Sequence, residues 1–197
     1  MRVLSGANGT TSDIIKGIDW IITNHSKRKG SKGFRGSVAS MSIGSKDRSL
    51  TIEEVVKRAS SVGIHFSVSA GNENQDACNA SPGAASKGTD VVTVGSVNAE
   101  DRRSDFSNFG PCVTVYAPGE FITSTWIGGF NATNTLNGTS MACPHISGLM
   151  AVLLAQNPNL STAEMKQKLI YTAQAITLDT GGSSGFLANN GHLGESD

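Results

Sequence analysis

Residues 137–145 read Asn-Gly-Thr-Ser-Met-Ala-Cys-Pro-His and open an apolar segment with helical patterning that runs to about Gln156. Pro144 lacks a backbone N–H and is tolerated only near a helix start, so the pattern predicts a helix that begins at Thr139 or Ser140. A serine in that first turn lies among unpaired N–H groups, which favour a developing negative charge. The stretch has two interpretations: a nucleophilic Ser140, with Gly138 leaving room for a substrate, or a Ser/Thr cap on a core helix.

The segments around this helix alternate between strand and helix patterns. In chain order they are a helix from Ser12 or Asp13 to about Asn24, a strand over residues 37–43, a helix with a Thr51 and Glu54 capping box that stops at Gly63, strands over residues 64–70, 91–97 and 113–117, the helix of Ser140, and a helix capped by residues 161–164. This order predicts an α/β fold in one domain, a parallel β-sheet with helices on both faces. The polar loops after Ile43 and Ala70 fall at carboxyl ends of strands, where such sheets bind ligands.

Composition gives no general reason to expect binding to nucleic acid or membrane. The 197 residues carry 16 basic and 16 acidic side chains, and no apolar run is long enough to span a bilayer. A local basic cluster is interpreted as a solvated loop rather than a nucleic-acid surface; it comprises Lys27, Arg28, Lys29, Lys32 and Arg35. The first residues lack the apolar core of a signal peptide, so we expect no targeting signal within this chain.

The motif at residues 138–145 resembles the nucleophile signature of subtilisin-like serine peptidases, family S8. Residues 69–74, Ser-Ala-Gly-Asn-Glu-Asn, resemble the oxyanion-hole segment of that family. Other segments resemble its proteinase K branch, especially fungal vacuolar cerevisin-type and alkaline proteases: residues 36–44, 63–66, 75–79, 106–110 and 117–119. Because several motifs stand in register, the nucleophile interpretation of Ser140 is favoured over the bare cap.

The resemblance implies a role for each site residue. Ser140 would attack a peptide carbonyl, and its backbone N–H would hold the oxyanion together with the side-chain amide of Asn72. Two walls would hold the substrate: Ser42, Ile43 and Gly44 as a strand-pairing edge, and Ser69, Ala70 and Gly71 as the other wall of the specificity pocket. Proteins and peptides are the implied substrates, cleaved after apolar or aromatic side chains, and no cofactor is required.

The resemblance also bears on cysteines, metal and location. Cys78 and Cys112 occupy positions where some relatives carry a disulfide, the alternative being two reduced buried thiols. Many proteinase K relatives place a calcium-binding Asp where this chain has Thr114, so no metal ligand is expected there; Asp90 is a substitute ligand or a surface charge. The family implies a secreted or vacuolar location.

The family's catalytic triad also needs an Asp and a His that precede the serine, and their motifs occur nowhere in these 197 residues. We expect His25 to be exposed at a helix end, His65 to be a core residue, His145 to point away from Ser140, and His192 to lie in a Gly-rich tail. One hypothesis is a peptidase sequence without its N-terminal part, residues 1–197 being the C-terminal portion of the catalytic domain and the N-terminal half a possible partner. The other is a non-catalytic remnant that binds peptides or a partner.

Overall fold

The computed structural model of the protein describes residues 9–177 and 184–190. In this part of the chain the α-helices are α1 (Thr11–Arg28), α2 (Leu50–Ser61), α3 (Thr139–Gln156) and α4 (Thr162–Thr172). The strands are β1 (Ser37–Met41), β2 (Ile64–Ser69), β3 (Val92–Val97), β4 (Val115–Pro118), β5 (Ile122–Thr125), β6 (Thr133–Leu136), β7 (Gln174–Thr177) and β8 (Ser184–Leu187).

A six-stranded sheet in the order β1-β2-β3-β4-β8-β7 forms the centre of the molecule. The strands β1 to β4 are parallel, and β8 joins β4 in parallel, whereas β7 runs antiparallel to β8. The strands β5 and β6 form a separate hairpin. The predicted parallel sheet is confirmed, and β1 is an edge strand in the described part of the chain.

Helices cover both faces of this sheet, as the sequence predicts. On one face α1 and α2 pack against β1 and β2 through a cluster that includes Ile18, Val56 and Phe66. On the other face α3 and α4 pack against β3 and β4 through a cluster that includes Met150 and Leu169. Each such fully buried side chain stabilises the fold by roughly 1.5–3 kcal/mol. No helix in the described residues combines the length and apolar character needed to cross a bilayer.

The helix boundaries differ from the predictions in two places. Helix α1 is capped by Thr10, whose hydroxyl accepts from the Asp13 N–H, not by Ser12 or Asp13, and it continues past Asn24 to Arg28. Four of its residues beyond Asn24 therefore carry His25 and part of the basic cluster onto the helix C-terminus, where positive charge is favourable. In α2 the predicted capping box of Thr51 and Glu54 is wrong, because the helix already begins at Leu50.

Two other helix boundaries agree with the sequence. Helix α3 begins at Thr139, and α4 has the predicted capping box, in which Ser161 and Glu164 satisfy each other's backbone N–H groups. Strand β1 ends at Met41, two residues before the predicted Ile43, and the chain then turns toward α3.

Candidate active site

A cavity of about 240 Å³ lies where β1 and β2 end and α3 begins. Its lining includes every predicted catalytic and substrate-binding residue: Ser42, Ile43, Gly44, Ser69, Ala70, Gly71, Asn72 and Ser140. These residues are far apart in sequence, and the parallel sheet brings them to one edge. The location agrees with the rule that open α/β sheets bind ligands beyond the carboxyl ends of their strands.

The side chain of Asn72 is held in one orientation by Thr139. Its Oδ1 accepts from the Thr139 backbone N–H and from the Thr139 hydroxyl, each at 2.9 Å. The same hydroxyl accepts from the Gly71 N–H at 3.2 Å, which ties it to the loop after β2. Because the amide oxygen is occupied, Asn72 presents its Nδ2 donor to the cavity.

Gly138 shows where the two donors converge. A Cβ on this residue would lie 3.6 Å from Asn72 Nδ2 and 3.6 Å from the Ser140 backbone nitrogen. Ser140 is the second residue of α3, so its N–H has no acceptor within the helix. Gly138 therefore leaves open a space that two N–H donors border, which is the geometry that holds an oxyanion.

The hydroxyl of Ser140 lies at the rim of this space. Its Oγ is 3.5 Å from the Ser42 carbonyl oxygen, a long hydrogen bond, while the Ser42 hydroxyl donates to the Ser140 carbonyl at 2.8 Å. The ring of His145 points back along α3, with Nδ1 2.8 Å from the Met141 carbonyl oxygen, as predicted. No imidazole or carboxylate in the described residues bonds to Ser140 Oγ, and His192 lies outside them.

The two predicted walls differ in their backbone hydrogen bonds. Ser45 pairs with Ser81 through two backbone hydrogen bonds of 2.8 and 3.2 Å, whereas the backbone of Gly44 has no backbone partner within the described ranges. On the opposite wall Ala70 donates to Val94 at 2.9 Å. The backbone of Gly44 is therefore available to bond to an added strand.

Asn108 is a site residue that the sequence analysis missed. It is fully buried, and its Oδ1 accepts from the backbone N–H groups of Glu73 and Gln75 at 3.1 and 3.0 Å. Its Nδ2 donates to the Ala70 carbonyl and to the Glu73 carboxylate, both at 2.9 Å. Its side chain occupies the space that a Cβ on Gly71 would need, and φ at Gly71 is +105°, so position 71 requires glycine.

Cys78 and Cys112 form the predicted disulfide, with Cα atoms 5.3 Å apart and a sequence separation of 34. The alternative of two reduced thiols is wrong. The bond joins the segment after the Asn72 loop to the residues before β4. Cys143 is free and buried, with its sulfur 3.4 Å from the Ser67 hydroxyl.

The remaining histidines lie away from Ser140. His65 is buried, as predicted, but the prediction that His25 is exposed is wrong, because only 5% of its surface is accessible. Phe34 packs edge-on against the His25 ring with a centroid separation of 5.6 Å. The helix α1 extends one turn further than predicted, and that extension places His25 within the fold.

Thr114, at the position where the resemblance implies a calcium-binding Asp in many relatives, makes structural contacts with Thr93. The Thr114 hydroxyl accepts from the Thr93 N–H at 3.1 Å, and the backbone N–H of Thr114 donates to the Thr93 carbonyl at 2.8 Å. Asp90 accepts from the Thr162 hydroxyl at 2.7 Å. The described residues contain no group of three or more His, Cys, Asp or Glu side chains arranged to hold a metal ion.

Comparison with known proteins adds to this geometry. The sequence profile of the Subtilase family, peptidase S8, matches residues 1–192. The subtilisin-like protease 8 of Trichophyton verrucosum is 47% identical over 184 residues, which are 86% of this chain and 37% of that protein. The subtilisin-like serine protease Pen ch 18 of Penicillium rubens is 48% identical over 185 residues, which are 88% of this chain and 37% of that protein. The chain thus spans less than two fifths of the length of either relative.

Among solved structures, the chain is similar to one described as the crystal structure of a cold adapted subtilisin-like serine proteinase. The TM-score is 0.82 at 39% identity, and the match covers 94% of this chain and 64% of the other.

Proposed function

The chain belongs to the subtilase family, and from this premise we propose that it supplies the nucleophile and the oxyanion donors of a serine endopeptidase. The observation that carries the proposal is the open space at Gly138, which the Ser140 N–H and Asn72 Nδ2 both border. The reaction is hydrolysis of a peptide bond through an acyl-enzyme.

In the first step Ser140 Oγ attacks the carbonyl carbon of the substrate as a general base takes the hydroxyl proton, and the carbonyl oxygen becomes an oxyanion. This oxyanion accepts hydrogen bonds from the Ser140 N–H and from Asn72 Nδ2, whose direction Thr139 sets. The tetrahedral intermediate then expels the amine, which receives that proton from the base, and the acyl group stays on Ser140. Water hydrolyses this ester and regenerates the hydroxyl.

The walls of the cavity support an extended peptide as the substrate. Its backbone would pair with Ser42, Ile43 and Gly44 as an added strand. The side chain before the cleaved bond would lie between this edge and Ser69, Ala70 and Gly71, whose small side chains leave room for an apolar or aromatic group. We propose no cofactor requirement; the contacts of Thr114 argue against calcium at that position.

A general base is needed, since a serine hydroxyl is a poor nucleophile at neutral pH. We propose that the base and its carboxylate partner come from a further segment of the same catalytic domain, packed along β1. Two observations support this position: β1 pairs only with β2 in the described chain, and an apolar groove of about 240 Å³ lined by Ile14, Ile18 and Met41 lies beside it. In this proposal residues 1–197 form the C-terminal portion of the domain.

The disulfide supports a secreted or vacuolar location. Cys78 and Cys112 are joined, and such bonds persist in oxidising compartments.

A second candidate function is a non-catalytic remnant that binds peptides or a partner through the same cavity. The observation that favours it is that Ser140 Oγ bonds to the Ser42 carbonyl rather than to an imidazole in the described residues. Without a base, the oxyanion donors and the walls still bind a peptide, but they give only residual catalysis.

Two measurements separate the candidates. The peptidase proposal expects the transcript upstream of the Met1 codon to encode the Asp and His motifs in frame, and the protein made from it to be labelled at Ser140 by a fluorophosphonate probe. In-frame stop codons upstream, together with no labelling of the 197-residue chain, would leave the non-catalytic function. Ser140→Ala is the control for labelling at this residue.

A variant of Gly138 tests the oxyanion space directly. Gly138→Ala places a methyl group in that space, 3.6 Å from both donors, so labelling should be lost. Because φ at Gly138 is +150°, which side chains rarely adopt, circular dichroism of this variant must show that the fold is kept. Gly148→Ala, in the helix that Gly138 caps and with nothing within 4 Å of the added methyl, is the control for an added methyl group without backbone strain and should label like the wild type. Normal labelling of Gly138→Ala would contradict the assigned donors.

A further inference from the structure

A cavity of about 540 Å³ lies at the end of the sheet opposite Ser140, where the strands begin. Its walls are the last turn of α1, the loop before β1, the turn between α2 and β2, and the residues around the start of α4. The lining includes two histidines, two basic residues and two large apolar residues: His25, His65, Lys29, Arg35, Phe34 and Leu160. The peptidase proposal uses none of them.

Two buried imidazoles line this cavity, and each has a buried nitrogen without a hydrogen bond of normal geometry within the described residues. His25 is 5% exposed; its Nδ1 lies 3.0 Å from the Ser37 hydroxyl, while its Nε2 is buried without a hydrogen bond of normal geometry. His65 is 4% exposed, and its Nδ1 is also buried and unpartnered. Buried polar atoms in native proteins nearly always have partners, so two imidazoles in this state are an unusual feature of the cavity wall.

Gly63 lies beside His25 Nε2. A Cβ on Gly63, which lines the cavity, would lie 3.7 Å from His25 Nε2 and 3.9 Å from Lys29 Nζ. The imidazole nitrogen and the ammonium group therefore face the same small region of the wall. Such a pair of donors, once the imidazole is protonated, matches an oxyanion.

The positive charge of the lining also favours an anionic ligand. Lys29 and Arg35 are its charged residues, and no Asp or Glu of the described chain lines it. Neither cation forms an ion pair within the described residues; one guanidinium nitrogen of Arg35 donates to the Ala155 carbonyl at 3.3 Å and leaves the other N–H groups available. The basic cluster of the sequence thus contributes to a concave site and not only to a solvated loop.

We propose that this cavity binds a small organic oxyanion, a sulfate or phosphate monoester, whose oxygens bond to Lys29 and Arg35 beside the His25 imidazole. Phe34 and Leu160 provide apolar surface for the organic part. The volume lies in the range of small-molecule sites and exceeds what a bare inorganic ion fills. A transition-metal ion fits less well, because the Lys29 ammonium beside His25 Nε2 repels a cation.

Protonation of the imidazoles should couple to binding. The titratable or charged groups around the cavity are His25 and Arg28 on α1, Lys29 at its C-cap, Arg35 on the loop, His65 on β2, Glu164 on α4, and Asp90, which bonds to Thr162. Burial and the Lys29 charge lower the pKa of His25, with the Val62 carbonyl opposing them in part. Burial and His25 lower the pKa of His65, and Asp90 opposes this shift. Both rings are neutral near pH 7, and a bound anion favours their charged forms, so binding should tighten as the pH falls.

Calorimetric titration of the 197-residue protein with phenyl sulfate tests the proposal, because this probe keeps its charge over the relevant pH range. Lys29→Gln should weaken binding about tenfold, the loss of one charge-assisted hydrogen bond. Lys27→Gln removes the same charge from an exposed position of the same helix that does not line the cavity, and should change affinity less than about twofold. Circular dichroism verifies the fold of each variant.

Further titrations identify the preferred ligand and measure how binding depends on pH. Phenyl sulfate should bind several-fold more tightly than inorganic sulfate, and a phenyl phosphate titration decides which monoester is preferred. Binding should tighten between about pH 7.5 and about pH 5.5, and His25→Asn should reduce this dependence. Equal weakening by Lys27→Gln and Lys29→Gln, or binding of Zn²⁺ through His25 and His65 without binding of phenyl sulfate, would overturn the proposal.

Discussion

Thr139 illustrates how much of this site depends on a residue that orients its neighbours. Its buried hydroxyl donates to Asn72 Oδ1 and accepts from the Gly71 N–H, so a single oxygen orients the amide and holds the loop. The flanking residues are Gly138, which leaves the open space, and Ser140, the proposed nucleophile. In the proposed function three consecutive residues thus supply the space, the positioning group and the reactive atom.

We predict that Thr139→Val slows fluorophosphonate labelling of Ser140 about tenfold, because Asn72 loses a donor that fixes its direction. Thr139→Ser keeps the hydroxyl and should restore most of the rate. The measurement is the labelling rate constant in the catalytically competent protein, with thermal unfolding as a check on the fold. An unchanged rate in the valine variant would show that Asn72 is oriented by other contacts.

At the scale of elements, the loop after β2 keeps its shape through Asn108. The four hydrogen bonds of this amide hold residues 70–75, including Asn72, in place. We predict that Asn108→Ala destabilises the protein by about 3 kcal/mol, since it leaves buried N–H and carbonyl groups unpaired. Hydrogen exchange at Glu73 and Gln75 should accelerate.

Asn98 provides the matched control for this prediction. Its Oδ1 also accepts from two backbone N–H groups, those of Glu100 and Arg102, but in an exposed turn. Asn98→Ala should cost less than about 1 kcal/mol, because water replaces the lost bonds. Equal losses in the two variants, measured by urea denaturation, would argue against a special role of Asn108.

The helix α2 is tied to the wall of the site by Glu53. This fully buried carboxylate bonds to Arg48 at 2.9 and 3.0 Å and to the Ser81 hydroxyl at 2.8 Å. Burial alone raises the pKa of Glu53. The hydrogen bonds from Arg48 and Ser81 and the nearby positive charges lower the pKa by more, so the pKa lies below its ordinary value. The carboxylate of Glu53 therefore holds the segment around Ser81 against α2.

We predict that Glu53→Gln destabilises the protein by about 2 kcal/mol at neutral pH, less than for a fully buried pair because Arg48 is half exposed. Since the folded-state pKa lies below the unfolded value of 4.5, the contribution of Glu53 is present above that value and is lost as the pH falls through the folded-state pKa. The difference between the two proteins should shrink accordingly. Glu54→Gln, which removes an exposed carboxylate, should change stability by less than about 0.5 kcal/mol at any pH.

The sequence predicted those elements whose patterning is strong and local. The α3 start, the α4 capping box and the apolar strands β2 and β3 needed only neighbouring residues. The hairpins β5–β6 and β7–β8 were missed, because strands such as Thr133–Leu136 are short and polar and depend on partners for their structure. Ser140 and Asn72 followed from motifs, whereas Asn108 and the burial of His25 depend on contacts between distant segments.

At the scale of the whole molecule, the disulfide joins the segment after the site loop to the residues before β4. It closes a loop with a sequence separation of 34, which restricts the unfolded chain more than the folded one. We predict that the double variant Cys78→Ser, Cys112→Ser loses about 3–4 kcal/mol of stability. The wild type with dithiothreitol should show the same lowered urea midpoint, and a midpoint unaffected by reductant would contradict this account.

Cys143 gives the molecule a built-in reporter of opening. Its thiol is fully buried behind Ser140, against the Ser67 and Ser40 hydroxyls, so an alkylating reagent reaches it only when α3 separates from the sheet. The half-life of that thiol in excess reagent therefore measures how often the helix that carries Ser140 separates from the strands of the sheet. A segment or ligand that completes the site would be detected as a longer half-life, even where no bond is cleaved.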